Sequence, residues 1–408
     1  MTMKVKKENL LNLIFIILIF KILLGLLIPD IILNLLIFML WSILLLHIFS
    51  RILKKKELSI LETMSIISML YLSVNLVISF VLFEPVSSLV AIRNYLSLIF
   101  PIGLVLIINR MHLRSIEKHK RTVIKLVLFI ILIAFIELIL PYSIVEKFGS
   151  YVLHQKFNQD ISNSAYIVRD LGFEYRRLGS IIFEPVTFSF LCMYLLFLLY
   201  NKKYNFTNLI VGFIHIASFG KASILVYWSS KLLSYSNIII FVVIFLMPAS
   251  GYFLYTYIIS IPGLEFTSMG MHLLGFVNGV MEGIKKPFFG NGLGSAGFIA
   301  YMEAKKIAML GNYFDTSWAA GISNGNESFV GVNFYQLGAV GYYIYILPFI
   351  YYYNYFTKNN MKLALAVLYT FFLSAILVET VSSLIIVYLF VLNLEILKKR
   401  NQYECINN

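Results

Sequence analysis

The chain has 408 residues, of which 60% are apolar or aromatic and only 13% are charged, and its mean hydropathy is +0.85. Soluble domains are nearer half apolar and a quarter charged, so this composition excludes a soluble enzyme, a disordered scaffold and a secreted disulfide-linked domain. At about 20 apolar residues per bilayer crossing, the chain supplies roughly a dozen spanning helices.

Apolar runs of spanning length predict an all-α, polytopic membrane protein with a single multi-pass domain over residues 1–408. The first run lacks a small-residue cleavage site and is followed at once by another run, so it is predicted to be a helix and not a signal peptide. Twelve helices are predicted near 9–28, 31–49, 58–82, 89–109, 122–142, 181–200, 207–219, 222–235, 237–258, 329–353, 363–380 and 382–397.

The distribution of charge predicts the orientation of these helices. The two termini and the short connections 50–57, 110–121, 201–206, 231–236 and 354–362 hold 20 Lys and Arg against 4 acidic residues, whereas the long loops 143–180 and 259–329 hold 9 of each sign. By the positive-inside rule, both termini are predicted to be cytoplasmic and both long loops extracytoplasmic. The formal net charge of +13 is therefore a topology signal, and nucleic-acid binding is not expected.

The first candidate site lies where the loop 143–180 re-enters the membrane. Arg176 and Arg177 are adjacent there, with Glu174 before them and Glu184-Pro185 in the first turn of the next helix. A guanidinium group offers a planar fork of donors suited to phosphate oxygens, so a lipid-linked diphosphate is one expected partner. The alternative is that both arginines only snorkel at the interface, paired with the two glutamates.

Residues 218–223, Ser-Phe-Gly-Lys-Ala-Ser, form a second polar turn between two short apolar runs. His215 occupies the position of the first glycine of a Walker A motif, so the turn is not an ATP site. A lysine in an apolar hairpin is costly unless it is paired or hydrated. Lys221 is therefore predicted either to contact an anion or simply to snorkel.

Residues 285–295, Lys-Lys-Pro-Phe-Phe-Gly-Asn-Gly-Leu-Gly-Ser, place a glycine at every second position. Gly290, Gly292 and Gly294 permit left-handed backbone dihedrals and close approach to a ligand. Glycine-rich turns also occur for purely structural reasons, and both roles stay open at this point.

The fourth candidate site begins with Asn324-Gly325-Asn326-Glu327-Ser328 and continues with Gly338 and Gly341 in the next apolar run. A partly desolvated carboxylate at a membrane border has a raised pKa and suits a general base, which makes Glu327 a catalytic candidate. The alternative is that Glu327 only stabilises the helix N-terminus through the helix dipole.

These motifs, in this order, resemble those of the bacterial O-antigen polymerase (Wzy) and O-antigen ligase superfamily. The matching segments are Arg176-Arg177-Leu178-Gly179 with Pro185, Ser218-Phe219-Gly220-Lys221-Ala222, Pro287-Phe288-Phe289-Gly290-Asn291-Gly292-Leu293-Gly294, and Glu327-Ser328 with Gly338 and Gly341. Ligases of the superfamily typically have His-Asn where this chain has Glu327-Ser328, which favours the polymerase branch.

The resemblance implies about a dozen membrane helices, two enlarged outer loops and a GT-C-type arrangement in the bacterial plasma (inner) membrane. It implies a glycosyltransferase that moves a growing glycan from one undecaprenyl diphosphate carrier onto a lipid-linked repeat unit, extending O-antigen, capsule or exopolysaccharide. No metal and no other cofactor is implied. The implied partners are the donor and acceptor lipid-linked glycans, the bilayer, a chain-length regulator and a flippase.

The resemblance also suggests roles for individual residues. Arg176 and Arg177 would stabilise the departing diphosphate, and Glu327 would accept the proton of the attacking hydroxyl. The expected substrate-binding residues are Lys221, Arg93, Glu184, Gly292, Gly294 and Ser328. The alternative functions are an O-antigen ligase, which differs in its acceptor, and a flippase or transporter of lipid-linked oligosaccharides, in which charges would follow a central cavity.

Overall fold

The structure is a computed structural model. The described residues are 7–55, 58–83, 88–140, 144, 147, 151, 167–170, 173–176, 178, 180, 185–200, 205–218, 221–234, 268–296, 328–377 and 383–407. Their regular structure is helical apart from one antiparallel pair of short strands, β1 (Ile167–Asp170) and β2 (Phe173–Arg176).

Twelve helices follow one another along this part of the chain. They are α1 (Lys7–Leu24), α2 (Asp30–Lys55), α3 (Ile60–Leu82), α4 (Ser88–Asn109), α5 (Leu113–Ile139), α6 (Pro185–Leu198), α7 (Asn205–Ala217), α8 (Lys221–Leu233), α9 (Ser268–Lys285), α10 (Phe329–Lys358), α11 (Lys362–Leu377) and α12 (Leu384–Asn407).

Four of these helices contain stretches long and apolar enough to span a bilayer: Ile32–Ser50, Ile60–Leu82, Ser88–Asn109 and Leu113–Ile139. Shorter apolar helices occur at Pro185–Leu198, Phe206–Ala217 and Lys362–Ile376. Large apolar side chains such as Leu27, Val81 and Phe206 are more than two-thirds exposed. These long apolar helices and exposed apolar side chains are consistent with the predicted helical membrane protein.

Contacts between residues divide the chain into two compact units. The first comprises Met1–Lys56, Leu106–Ser229 and Ser383–Asn408, and the second comprises Glu57–Val105 and Ser230–Ser382. Each unit is built from separate stretches of sequence.

In the first unit, α6 is the central helix. Its side chains are buried along nearly its whole length, and α5, α7 and α12 pack against it. A buried polar contact joins three other helices: the hydroxyl of Tyr388 lies 2.6 Å from Nε2 of His119 and donates to the carbonyl of Leu11.

In the second unit, α9 and α10 are in very close contact. Gly275, Gly279 and Gly283 recur every fourth residue and therefore share one face of α9. A Cβ atom at Gly279 would lie 2.1 Å from the carbonyl oxygen of Gly331 in α10, and one at Gly283 would lie 2.4 Å from that of Phe334. The glycine face thus lets the two backbones touch, as small residues do in membrane helix pairs.

The structure differs from the sequence prediction within the two long loops. Helix α9 lies inside the predicted loop 259–329. The sequence analysis did not predict it, because its glycines and polar residues keep its hydropathy below that of a spanning helix. The strands β1 and β2 lie inside the predicted loop 143–180. The predicted helix 237–258 is outside the described residues.

Candidate functional site

The glycine loop, defined as residues 286–296, follows α9 in the second unit. Gly290, Gly292 and Gly294 have φ angles of 59°, 81° and 84°. Side chains are strained in this left-handed region, so glycine is required at all three positions. A Cβ atom at Gly294 would also lie 2.8 Å from the backbone nitrogen of Ala91, at the start of α4.

The backbone amides of the glycine loop donate to protein acceptors. The amide of Asn291 donates to the carbonyl of Tyr335 at 2.8 Å, and the amide of Leu293 donates to Oγ of Ser79 at 2.7 Å. The amide of Gly292 donates to the carbonyl of Gln336 at 3.2 Å. Since these donors are already engaged, the alternating glycines have a structural role in backbone packing, and the contact of Gly292 and Gly294 with substrate stays a prediction.

Gln336 joins the glycine loop to two helices. Its Oε1 accepts from the amide of Gly294 and from Nδ2 of Asn94, each at 3.3 Å, and its Nε2 donates to the carbonyl of Ala296 at 2.9 Å. The side chain is only 1% exposed. A buried amide with all these partners holds its neighbours in one geometry.

A break in α10 at Gly338 makes room for the glycine loop. Gly338 has φ 76° and ψ 167°, and a Cβ atom there would lie 2.3 Å from the carbonyl oxygen of Lys286 and 2.5 Å from that of Pro287. In a regular helix the amide of Val340 would donate to Gln336; here it donates to the carbonyl of Pro287 at 2.8 Å. The carbonyl of Gln336 is thereby available to the loop.

Helix α3 supports the other side of the loop. The hydroxyl of Tyr71 bonds to the carbonyl of Phe288 and lies 2.9 Å from that of Leu337, and the ring of Tyr71 is parallel to that of Phe289. A Cβ atom at Gly341 would collide with this hydroxyl. The structure therefore brings together the predicted motif 287–294 and the predicted pair Gly338 and Gly341.

The glycine loop, the end of α3 and the start of α4 together form what we call the glycine-loop corner, and two cations on these segments are exposed. Lys286 donates from Nζ to Oδ1 of Asn291 and lies 5.9 Å from the ring centroid of Phe83. Arg93, a predicted substrate-binding residue, is exposed on α4 next to Asn94, which contacts Gln336. The corner therefore combines a fixed backbone with exposed positive charge, a combination suited to an anionic ligand.

The first unit contains the arginine motif. Arg176 is the last residue of β2 and pairs with Ile167 of β1. Ser180 fastens the end of this segment to α5, because its amide donates to Oε2 of Glu137 at 2.7 Å and its hydroxyl donates to the carbonyl of Ile130 at 2.8 Å. The predicted residues Arg177 and Glu184 lie outside the described residues.

The serine-lysine turn also belongs to the first unit. Lys221 is the first residue of α8. Nε2 of His215 lies 3.0 Å from Oγ of Ser223, which in turn contacts Oγ of Ser189. All three polar side chains are buried, so they tie α6, α7 and α8 together.

At the fourth motif, Ser328 is the N-cap of α10. Its hydroxyl accepts from the amide of Gly331 at 3.2 Å and donates to the carbonyl of Ala375 at 3.2 Å, and its side chain is fully buried. These bonds give Ser328 a structural role, and its contact with substrate stays a prediction. Glu327 lies outside the described residues.

The sequence analysis missed the residues that hold the glycine loop. Tyr71, Ser79 and Gln336 are polar residues within apolar helices, and such residues usually have a specific partner. A polar stripe on α3, in which Ser68, Asn75 and Ser79 recur every seven or four residues, was the available signal.

Comparison of the chain with protein families, curated proteins and solved structures found no match. Within the part of the chain that the structure describes, no three His, Cys, Asp or Glu side chains form a group that could bind a metal ion.

Proposed function

We propose that the chain is a membrane glycosyltransferase of the O-antigen polymerase type. It crosses the bacterial plasma membrane about twelve times in a GT-C-type arrangement, with both termini in the cytoplasm. It polymerises undecaprenyl-diphosphate-linked repeat units on the outer face of the membrane into O-antigen, capsule or exopolysaccharide.

The observation that carries the proposal is the glycine-loop corner of the second unit. The positive-inside assignment predicts that the end of α3, the start of α4 and the loop 259–329 all lie on the outer side. The described contacts join all three, because Leu293 bonds to Ser79 and Gly294 packs against Ala91. Arg93 and Lys286 are exposed there, which supports an anionic substrate on that side.

Contacts in the first unit agree with the same topology. Ser180, at the end of the loop 143–180, bonds to Glu137 near the C-terminal end of α5. The segments 110–121 and 397–408, both predicted to be cytoplasmic, meet through a 2.8 Å ion pair between Arg400 and Glu117. In both cases the sequence analysis had predicted that the two contacting segments lie on the same side of the membrane.

The proposed reaction is a displacement at the anomeric carbon of the donor glycan. A hydroxyl oxygen of the acceptor sugar forms a bond to that carbon while the bond from the carbon to the diphosphate oxygen breaks. The electron pair leaves with undecaprenyl diphosphate, and the hydroxyl proton passes to the carboxylate of Glu327. The proposed reaction is balanced without a nucleotide, a metal or an oxidant.

The cations stabilise the negative charge that develops on the leaving diphosphate. Arg176 and Arg177 carry this role, with Lys221 and Arg93 in support, and each close contact contributes about 3–4 kcal/mol to the transition state on the scale of one oxyanion donor. Glu184 and Ser328 belong to the substrate-binding set. Gly292 and Gly294 contribute the shape of the backbone beneath the substrate.

The test is complementation of a strain that lacks the gene, with polymer length read on a gel. We expect Arg176→Ala to abolish long chains while the protein still inserts at normal abundance. Arg169→Ala is the matched control, because Arg169 lies on the paired strand β1 outside the motif. Normal chain lengths in the Arg176→Ala strain would contradict the proposed role.

The location and form of the accumulating intermediate separate this function from its alternatives. A polymerase deletion leaves single repeat units on the lipid carrier at the outer face. A flippase deletion leaves these units at the inner face. A ligase deletion leaves complete long chains on undecaprenyl diphosphate.

A further inference from the structure

One face of α5 carries a row of four basic side chains. Arg114, Lys118, Arg121 and Lys125 are all exposed, and their spacing of four, three and four residues places them on the same side of the helix. At a rise of about 1.5 Å per residue, the row extends about 16 Å along the helix axis. We refer to it as the basic row.

The same face continues as an apolar surface towards the C-terminal end of α5. Phe129, Leu132, Ile136 and Ile139 extend the same spacing, and their side chains are 49%, 55%, 47% and 68% exposed. A face that changes from cationic to apolar along one helix matches the change from lipid headgroups to acyl chains. The basic row therefore lies where this face passes through the headgroup layer.

The basic row borders a cleft of about 450 Å³ between α5 and the end of α12. The residues that line it are Leu113, Arg114, Glu117, Lys118, Arg121 and Tyr403.

The one carboxylate among these lining residues, that of Glu117, is paired with Nε of Arg400 at 2.8 Å. Lys118 is paired with Glu8. Arg114 and Arg121 have no ion pair with any other residue that the structure describes, so their charge is available to an external anion.

We propose that the basic row and its cleft bind the phosphate-bearing headgroup of an anionic phospholipid, with the acyl chains along the apolar continuation of the same face. Guanidinium groups recognise phosphate oxygens through paired hydrogen bonds. Basic clefts beside membrane helices at the cytoplasmic surface are typical sites for such headgroups. A free phosphate would use the two arginines but would gain nothing from Phe129 and Leu132.

The test measures lipid binding to the purified full-length protein in neutral detergent by native mass spectrometry. The probes are short-chain phosphatidylglycerol and, as the neutral control, phosphatidylcholine of the same chain length. We expect the wild-type protein to bind phosphatidylglycerol preferentially. The double exchange Arg114→Gln with Arg121→Gln should weaken this binding about thirtyfold, and each single exchange about fivefold.

A matched control is the double exchange Lys358→Gln with Lys362→Gln, which removes the same charge from exposed positions at the turn between α10 and α11. It should leave binding unchanged, whereas Arg114→Lys with Arg121→Lys, which keeps the charge but loses the paired hydrogen bonds, should retain only part of it. The single exchanges keep the test available if the double variant does not fold. These measurements do not depend on glycan polymerisation.

Three outcomes would overturn the proposal. The two lipids could bind equally well, or the control pair could lose as much binding as the arginine pair. Inorganic phosphate could also displace phosphatidylglycerol completely, which would indicate a free-anion site and not a lipid site.

Discussion

Replacing Gly338 by alanine tests whether the break in α10 is what secures the glycine loop. The backbone dihedrals of Gly338, φ 76° and ψ 167°, lie in a region that is nearly exclusive to glycine and costs other residues about 1–3 kcal/mol. The added methyl group would also lie 2.3 Å from the carbonyl oxygen of Lys286. Overpacking of this kind costs about 1–3 kcal/mol.

We therefore expect Gly338→Ala to lower the free energy of unfolding by about 4 kcal/mol, the sum of these two costs. The assay is thermal unfolding in detergent, followed by intrinsic fluorescence. Hydrogen exchange at Asn291, Gly292 and Leu293 provides a local measurement, because these amides donate to α10 and α3. Their exchange should accelerate in the variant.

The matched control is Gly212→Ala in α7. A Cβ atom at Gly212 meets nothing within 4 Å, and alanine favours a helix over glycine by up to about 1 kcal/mol. This variant should be as stable as the wild type or more so. Equal stability of the Gly338→Ala variant and the wild type would refute the reasoning about the break in α10.

Two further variants test a buried amide and a buried lysine. Gln336→Ala leaves several buried partners without a hydrogen bond and should cost about 3 kcal/mol of unfolding free energy, with faster hydrogen exchange at the amide of Gly294; normal exchange there would contradict this. Burial lowers the pKa of Lys399 from its usual value, so the unfolded chain binds more protons between the two pKa values, and stability should rise with pH across that interval. Lys399→Met should flatten the pH dependence of the unfolding temperature, and an unchanged slope would show that another group causes it.

The sequence predicted the bounds of some apolar helices well and the polar contacts poorly. The predicted helices 58–82 and 89–109 differ by at most two residues from Ile60–Leu82 and Ser88–Asn109, since long apolar runs give a strong local signal. The predicted twelfth helix ended at 397, whereas α12 continues to Asn407. Its basic last turns resemble a cytoplasmic connection in composition.

The glycine motif shows why the site could be predicted only in part. Its residues were identified from the sequence, and so were Gly338 and Gly341, but two roles were left open for the loop. The structural role became visible only with the positions of Ser79 and Gln336, which are far from the loop in sequence, and the binding role stays a prediction. A local pattern indicates that glycine is needed, and only long-range contacts show what approaches it.

The hydrogen bonds of the glycine loop have a consequence for substitutions at this corner. The backbone amides of Asn291, Gly292 and Leu293 already donate to acceptors on α10 and α3. The backbone of the loop therefore keeps its conformation whichever side chains surround it. Arg93 and Lys286 are exposed on the segments that form this corner. Substitution of these two side chains would therefore change the charge at the corner and leave its backbone unchanged.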